Sequence, residues 1–169
     1  MTHASPEGKY TLGIDAGTTA TKAVLFDMEG RAMGRASQEY QLRTPAPDRA
    51  EMEPERYWQA LCDCTQNLLA ETNVDPSEIA ALAISSQGET LVVIDEAGNP
   101  LYPAIVWLDN RSQAEAKEVE ARLGIPKVFE ITGQPEVTPT WPATKILWLR
   151  RNEPQVFERA YKYLLLEDY

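Results

Sequence analysis

Asp15-Ala16-Gly17-Thr18-Thr19, with Lys22 three residues on, gathers a carboxylate, a glycine, two hydroxyls and an ammonium into one short stretch. That set suits a phosphate and the magnesium ion that accompanies it. Gly17 lets the backbone approach an anion closely, successive turn N–H groups point outward, and Thr18 and Thr19 add donors. Asp15 would hold Mg²⁺, directly or through water, because magnesium favours one or two carboxylates plus phosphate oxygens. Lys22 adds a positive charge nearby. The common phosphate loop is excluded: no Gly-Lys-Ser/Thr ending is present, and a strand pattern follows where that loop needs a helix. An ordinary hairpin turn rich in Asp, Gly and Thr is the plain alternative. The apolar strand on each side and the doubled threonine favour phosphate.

The elements that must position this turn follow from the apolar spacing. Tyr10 to Ile14 read as a short buried strand, and Thr21 to Asp27 as a second one alternating polar and apolar. Met28-Glu29-Gly30 is a turn signal and Arg31 to Tyr40 a third strand, giving an antiparallel meander. Residues 43–53 carry Pro45 and Pro47 and show neither period. Pro54 suits a first helical residue, and Trp58, Leu61, Cys62, Thr65, Leu68 and Leu69 then define one buried stripe, with Asn73 to Ser77 closing the helix. Ile79 to Ser85 read as a central parallel strand, Leu91 to Ile94 as another, and Tyr102 to Trp107 as extended chain. Ser112 with Glu115 fits a capping box, and Gly124 fits the position past a helix end. The alanine- and charge-rich helix between them is expected on the surface. Thr132 to Pro142 read as a loop, Ala143 to Arg151 as a helix, Pro154 as the start of a shorter one, and Tyr163 to Leu166 as a buried strand. The class is α/β, a mixed sheet flanked by helices, and the order of elements resembles a ribonuclease-H-like domain.

Composition narrows the partners. The 169 residues are 43% hydrophobic, enough for one domain with a real core. A net charge of −10 argues against a nucleic-acid surface and against an anionic membrane. No apolar run approaches the ~20 residues that span a bilayer. Residues 1–8 lack a hydrophobic signal core and are expected to form a flexible tail ahead of a domain over 9–169; a cytoplasmic location follows. Cys62 and Cys64, two apart on a helix, diverge by about 200° and do not suit a mutual disulfide. His3 is the single histidine, so no histidine triad is available.

Four stretches now stand in order: the Asp15 turn, Ile84-Ser85-Ser86-Gln87-Gly88-Glu89-Thr90, Ala104-Ile105-Val106-Trp107-Leu108-Asp109-Asn110-Arg111, and Ile131-Thr132-Gly133 followed by Thr144-Lys145-Ile146-Leu147-Trp148-Leu149. The first resembles the phosphate motif of the actin, Hsp70 and sugar kinase superfamily. Together, with Glu53-Pro54 ahead of Trp58, they resemble the N-terminal domain of the FGGY carbohydrate kinases from about Tyr10 onward. The resemblance implies an ATP-dependent phosphotransferase acting on a sugar or polyol hydroxyl, with ATP and Mg²⁺ as cofactors. The sugar would lie in a cleft, mostly against this first domain. Gln87, Glu89, Asp109 and Arg111 would then meet sugar hydroxyls, and Trp107 would pack on the apolar sugar face. Each has a plainer reading too: Asp109 and Arg111 as the start of a helix, Trp107 as core. Glu89 is the strongest, because an acidic residue between two apolar strands costs energy without a partner.

Departures bear on the substrate. Glycerol kinases carry arginine where this chain has Gly88, and a tyrosine where it has Thr140; xylulose kinases usually show Gln-Met-His-Gly in place of Gln87-Gly88-Glu89-Thr90. A ketose or sugar acid is expected, a xylulose-like pentulose first; glycerol or gluconate phosphorylation is the alternative within the family. Family members are roughly three times as long. The domain is therefore expected to be incomplete at its C-terminal end, the fragment alone inactive, and the catalytic base aspartate to lie beyond Tyr169. Apolar surface left bare in such a fragment favours self-association, for instance as a homodimer. A stand-alone nucleotide- or sugar-binding module is the reading from another class.

Overall fold

The computed structural model describes residues 8–169, so the expected tail, with His3, falls outside the described residues except for Gly8. In chain order the elements are β1 (Tyr10–Ala16), β2 (Ala20–Asp27), β3 (Ala32–Glu39), β4 (Glu51–Met52), α1 (Pro54–Thr72), β5 (Ile79–Ser86), β6 (Leu91–Ile94) and β7 (Ala104–Ile105). There follow α2 (Gln113–Leu123), α3 (Ile125–Thr132), α4 (Pro142–Asn152), α5 (Pro154–Arg159) and β8 (Lys162–Leu165). They divide into two units. The first takes the chain up to Gln41 with Glu55–Gln87, the second Leu42–Pro54 with Gly88–Tyr169.

In the first unit the expected meander forms. β1 pairs antiparallel with β2, β2 with β3, and β5 joins β1 in parallel, giving the order β3-β2-β1-β5. Alternation along β1 and β2 turns Leu12, Ile14, Ala23 and Leu25 to one face, where Cys64 and Leu68 of α1 complete the core. The buried stripe of α1 runs through Tyr57, Ala60, Cys64 and Leu68, one position off the expected one, and Trp58 is 52% exposed. Tyr57 goes inward instead because its hydroxyl finds a partner there. β5 is parallel as expected but stands at the sheet's edge among the described residues, with Leu82 and Ile84 exposed.

In the second unit a separate antiparallel sheet has the order β4-β7-β6-β8, so the strands fall into two sheets where a single alternation had suggested one. Its core is Leu91, Val93, Ile105, Trp148 and Leu149. Three expectations change here. The capping box does not form: Ser112 Oγ donates 2.8 Å to the Pro139 carbonyl, and Glu115 pairs with Arg151. α2 therefore buries Glu115 and Ala116 and is not wholly a surface helix. Residues 125–132, unassigned in the sequence, form α3, which starts after Gly124 at φ 74° and buries Val128 beside Ala116 and Val137.

Gly34 on β3 sets how closely α1 can lie on the first sheet. A methyl group there would stand 2.4 Å from Thr72 Cγ2 and 3.1 Å from Leu68 Cδ1. Thr72 cannot turn away cheaply, since its hydroxyl donates 2.8 Å to the Leu68 carbonyl. Gly34→Ala should therefore destabilise the protein by about 1–3 kcal/mol through overpacking. Urea denaturation checks this, and Thr72→Ser, which removes the offending methyl, should recover most of the loss.

Candidate functional site

The turn between β1 and β2 forms where its composition predicts one. β1 delivers Asp15 opposite Lys22, and the chain reverses through Gly17, Thr18 and Thr19 with Gly17 N donating 3.0 Å to Ala20 O. Asp15 is half exposed, and its one ion pair is loose: Lys22 Nζ lies 3.9 Å from Oδ2, and both side chains are well solvated. Such a pair constrains the carboxylate little. Among the described residues no group of three or more His, Cys, Asp or Glu side chains could hold a metal by itself. The open Asp15 carboxylate leaves room for a magnesium ion that would bring phosphate oxygens of its own, the usual pattern for that ion.

What fixes the turn is the Gly17 carbonyl. It accepts the Tyr40 hydroxyl at 2.5 Å and the Gln87 amide at 3.2 Å, and the same amide nitrogen lies 3.1 Å from the Tyr57 hydroxyl. Tyr40 and Tyr57 meet edge to face, ring centroids 5.2 Å apart. Burial pushes the Tyr57 phenol pKa up, so the hydroxyl stays protonated. Gln87 was expected on the sugar. Its amide nitrogen instead braces the phosphate turn, and its Oε1 is buried without a hydrogen-bond partner.

In the second unit Asp109 and Arg111 also depart from expectation. Asp109 is 1% exposed and its oxygens are occupied within the protein. Oδ2 accepts from Ala50 N at 2.6 Å and Arg111 Nη2 at 2.8 Å, and Oδ1 from Arg111 N and Nε at 3.0 and 2.8 Å. Arg111 Nη2 donates to Glu51 as well, at 2.7 Å, and the guanidinium lies 5.0 Å from the centre of the Trp148 ring. Burial opposes its charge, but the hydrogen bonds to Asp109 and Glu51 outweigh it and raise its pKa. The pair was assigned to sugar hydroxyls because strand-end charges suit them. Fork-to-fork geometry makes each the other's partner, so they hold the backbone at Ala50 and the start of α2.

Glu89 and Trp107 are more open than Asp109 and Arg111. Glu89 is half-buried, forms no ion pair among the described residues, and sits in the left-handed region at φ 60°. Trp107 is 41% exposed, and its N–H donates 3.1 Å to Thr90 Oγ1. Between their two segments lies Lys145, to which the sequence reading gave no role. It is fully buried, and Nζ donates 2.9 Å to Glu89 O and 3.0 Å to Val106 O. The signal was available: Lys145 shares a helical face with Trp148 and Leu149, and a lysine in an apolar stripe needs a reason. Burial pulls its pKa down to about 8, against the raising influence of Asp109 and Glu89.

Two outcomes follow. Arg111→Met should cost about 3–5 kcal/mol in urea denaturation, because two buried carboxylates lose their counter-charge. For Lys145 the sign is the reverse of an ordinary ion pair. Its folded pKa is depressed, so the cost of burying the charge is complete below pH 8 and is relieved as pH rises toward 10.5, where the unfolded chain titrates. The stability of the protein relative to its Lys145→Met variant should therefore increase between pH 7.5 and 10, followed by denaturation at each pH.

The profile of the FGGY family of carbohydrate kinases, N-terminal domain, matches residues 10–169. The chain is 38% identical to a xylulose kinase of Lactococcus lactis over 95% of its own length and 32% of the relative. It is 38% identical to a glycerol kinase of Symbiobacterium thermophilum, over 89% of the chain and 30% of the relative. The crystal structure of gluconate kinase from Lactobacillus acidophilus superposes with a TM-score of 0.86 at 31% identity, covering 95% of this chain and 32% of that one. The chain thus spans about a third of the length of the relatives it matches. Its fold is the ribonuclease-H-like one of the actin, Hsp70 and sugar kinase superfamily. With the match running from β1 to the last residue, the chain belongs to the FGGY family of carbohydrate kinases and carries its N-terminal domain.

Proposed function

We propose that this chain is the sugar- and phosphate-binding part of an ATP-dependent kinase that phosphorylates a hydroxyl of a sugar, a pentulose such as xylulose first. The observation that carries the reading is Glu89: a half-buried carboxylate with no ion pair among the described residues, on strained backbone, tied to the segment that exposes Trp107. A carboxylate accepting sugar hydroxyls beside an indole on the apolar sugar face is a common solution to sugar binding. Gly88 supports a substrate larger than glycerol, since a side chain there would meet no atom within 4 Å. Relatives that act on xylulose, glycerol and gluconate by name keep the sugar itself a matter for experiment.

On the nucleotide side, Gly17, Thr18, Thr19 and Lys22 would meet phosphate oxygens and Asp15 the magnesium ion. When bound, the ion neutralises charge on the transferring phosphoryl group. Asp15 orients it and Lys22 adds positive potential. No general base is assigned among these residues; phosphoryl transfer needs one near the attacking hydroxyl.

In the full protein, Glu89→Ala should weaken binding of D-xylulose by tens-fold or more while leaving Mg-ATP affinity within about twofold, by calorimetric titration. Asp15→Asn should lower turnover at least tenfold with little change in sugar affinity. Loss of nucleotide binding in the first variant, with sugar binding intact, reverses the two assignments. Coupled ADP-release assays should give the highest kcat/KM with D-xylulose among D-xylulose, D-gluconate and glycerol; a clear preference for glycerol contradicts the substrate reading.

A further inference from the structure

Apolar packing does not explain the placement of Lys145. It occupies a core position on α4, 0% exposed, where leucine or methionine would avoid the cost of burying an ammonium. Among the described residues it forms no salt bridge, so no carboxylate repays that cost in direct contact. Its hydrogen-bond acceptors are two backbone carbonyls, Glu89 O at 2.9 Å and Val106 O at 3.0 Å. These belong to different segments, the turn after β5 and the end of β7. Each carbonyl opens a peptide unit that bears on the site: Glu89 itself, and the Val106–Trp107 link. A second bond joins the same segments, Trp107 N to Thr90 Oγ1 at 3.1 Å.

The neighbouring residues hold Lys145 in turn. Thr144, also 0% exposed, donates its hydroxyl 2.9 Å to the Trp141 carbonyl just ahead of α4. Ser112 Oγ bonds both Pro139 O and Thr144 Oγ1, which ties the start of α4 to the start of α2. The lysine thus projects from a fixed helical turn toward the strained one. Glu89, at φ 60°, is a non-glycine residue in a conformation that persists only where its surroundings impose it.

We infer that Lys145 is the positioning residue of the sugar site: its buried ammonium clamps the Glu89 and Val106 carbonyls, and so sets the spacing between the Glu89 carboxylate and the Trp107 ring. This rests on the reading of Glu89 and Trp107 as sugar contacts. Lys145 itself touches no substrate. Removing it should loosen both segments and weaken sugar binding while sparing the Asp15 turn, which belongs to the other unit.

The test uses the full protein and two readouts. Amide hydrogen exchange needs no ligand. Lys145→Met, which keeps side-chain length and removes the donors, should raise exchange at least tenfold across residues 88–92 and 104–108 and leave β1 and β2 unchanged. Titration of the same variant should weaken D-xylulose binding tenfold or more and leave Mg-ATP within twofold. In the Glu89→Ala background, Lys145→Met should cost much less than in the wild type, because the clamp acts through Glu89. Unchanged exchange in those segments, or full additivity of the two substitutions, overturns the inference. If exchange rises but Glu89→Ala leaves sugar affinity intact, the clamp is structural and it is the sugar reading that fails. Should Lys145→Met not fold, wild-type protein labelled with ¹⁵N-lysine decides. The Lys145 Nζ resonance should shift on saturation with D-xylulose, and a resonance that does not move overturns the inference.

Discussion

A charge removed from water must be met by another charge or by well-aimed dipoles, and the second unit is arranged around that constraint. Arg111 shows the first solution. Its guanidinium lies between Asp109 and Glu51, with the Trp148 ring against its face, and the three charged groups together hold β4, the Ala50 backbone and the start of α2. Lys145 shows the second, an ammonium met by two carbonyl oxygens. Such arrangements seldom add stability over an apolar core of equal volume. What they fix is geometry, and here the geometry fixed is that of the turn bearing Glu89 and the strand end bearing Trp107.

The first unit solves its own problem with neutral groups. The tight reversal after β1 must hold its shape, and the Gly17 N–H bond to Ala20 O closes it. The inward Gly17 carbonyl supplies the anchor, gripped by Tyr40 and Gln87, with Tyr57 behind them. A methyl on Gly17 would come within 3.0 Å of Ala20 O, so the tight reversal itself favours glycine there. Asp15 stays half exposed, with Lys22 only loosely paired to it.

Periodicity made much of this legible. The three-strand meander, α1, β5 in parallel with β1, and the helices after Pro142 and Pro154 follow from alternation and from proline at first turns. α3 did not, because Ile125 to Thr132 is too short to show a period and its start is set by Gly124. Nor did the division into two sheets, since β4 and β7 are two residues each and owe their pairing to distant partners. Local chemistry singles out the Asp15 turn and Glu89 as candidates. Gln87, Asp109 and Arg111 could not be sorted that way, because a polar residue at a strand end looks the same whether it faces a ligand or a buried partner. Only the Ala50 N–H and Glu51, some sixty residues earlier, show that Asp109 and Arg111 are occupied.

A crystal structure of the full protein with bound D-xylulose bears most directly on the division between residues that touch sugar and residues that position them. Sugar hydroxyls should lie within hydrogen-bond distance of the Glu89 carboxylate, with the Trp107 ring against the sugar. Asp109 should still accept from Ala50 N and Arg111. A sugar hydroxyl bonded to Asp109 or Arg111, with Glu89 turned to solvent, would contradict that division.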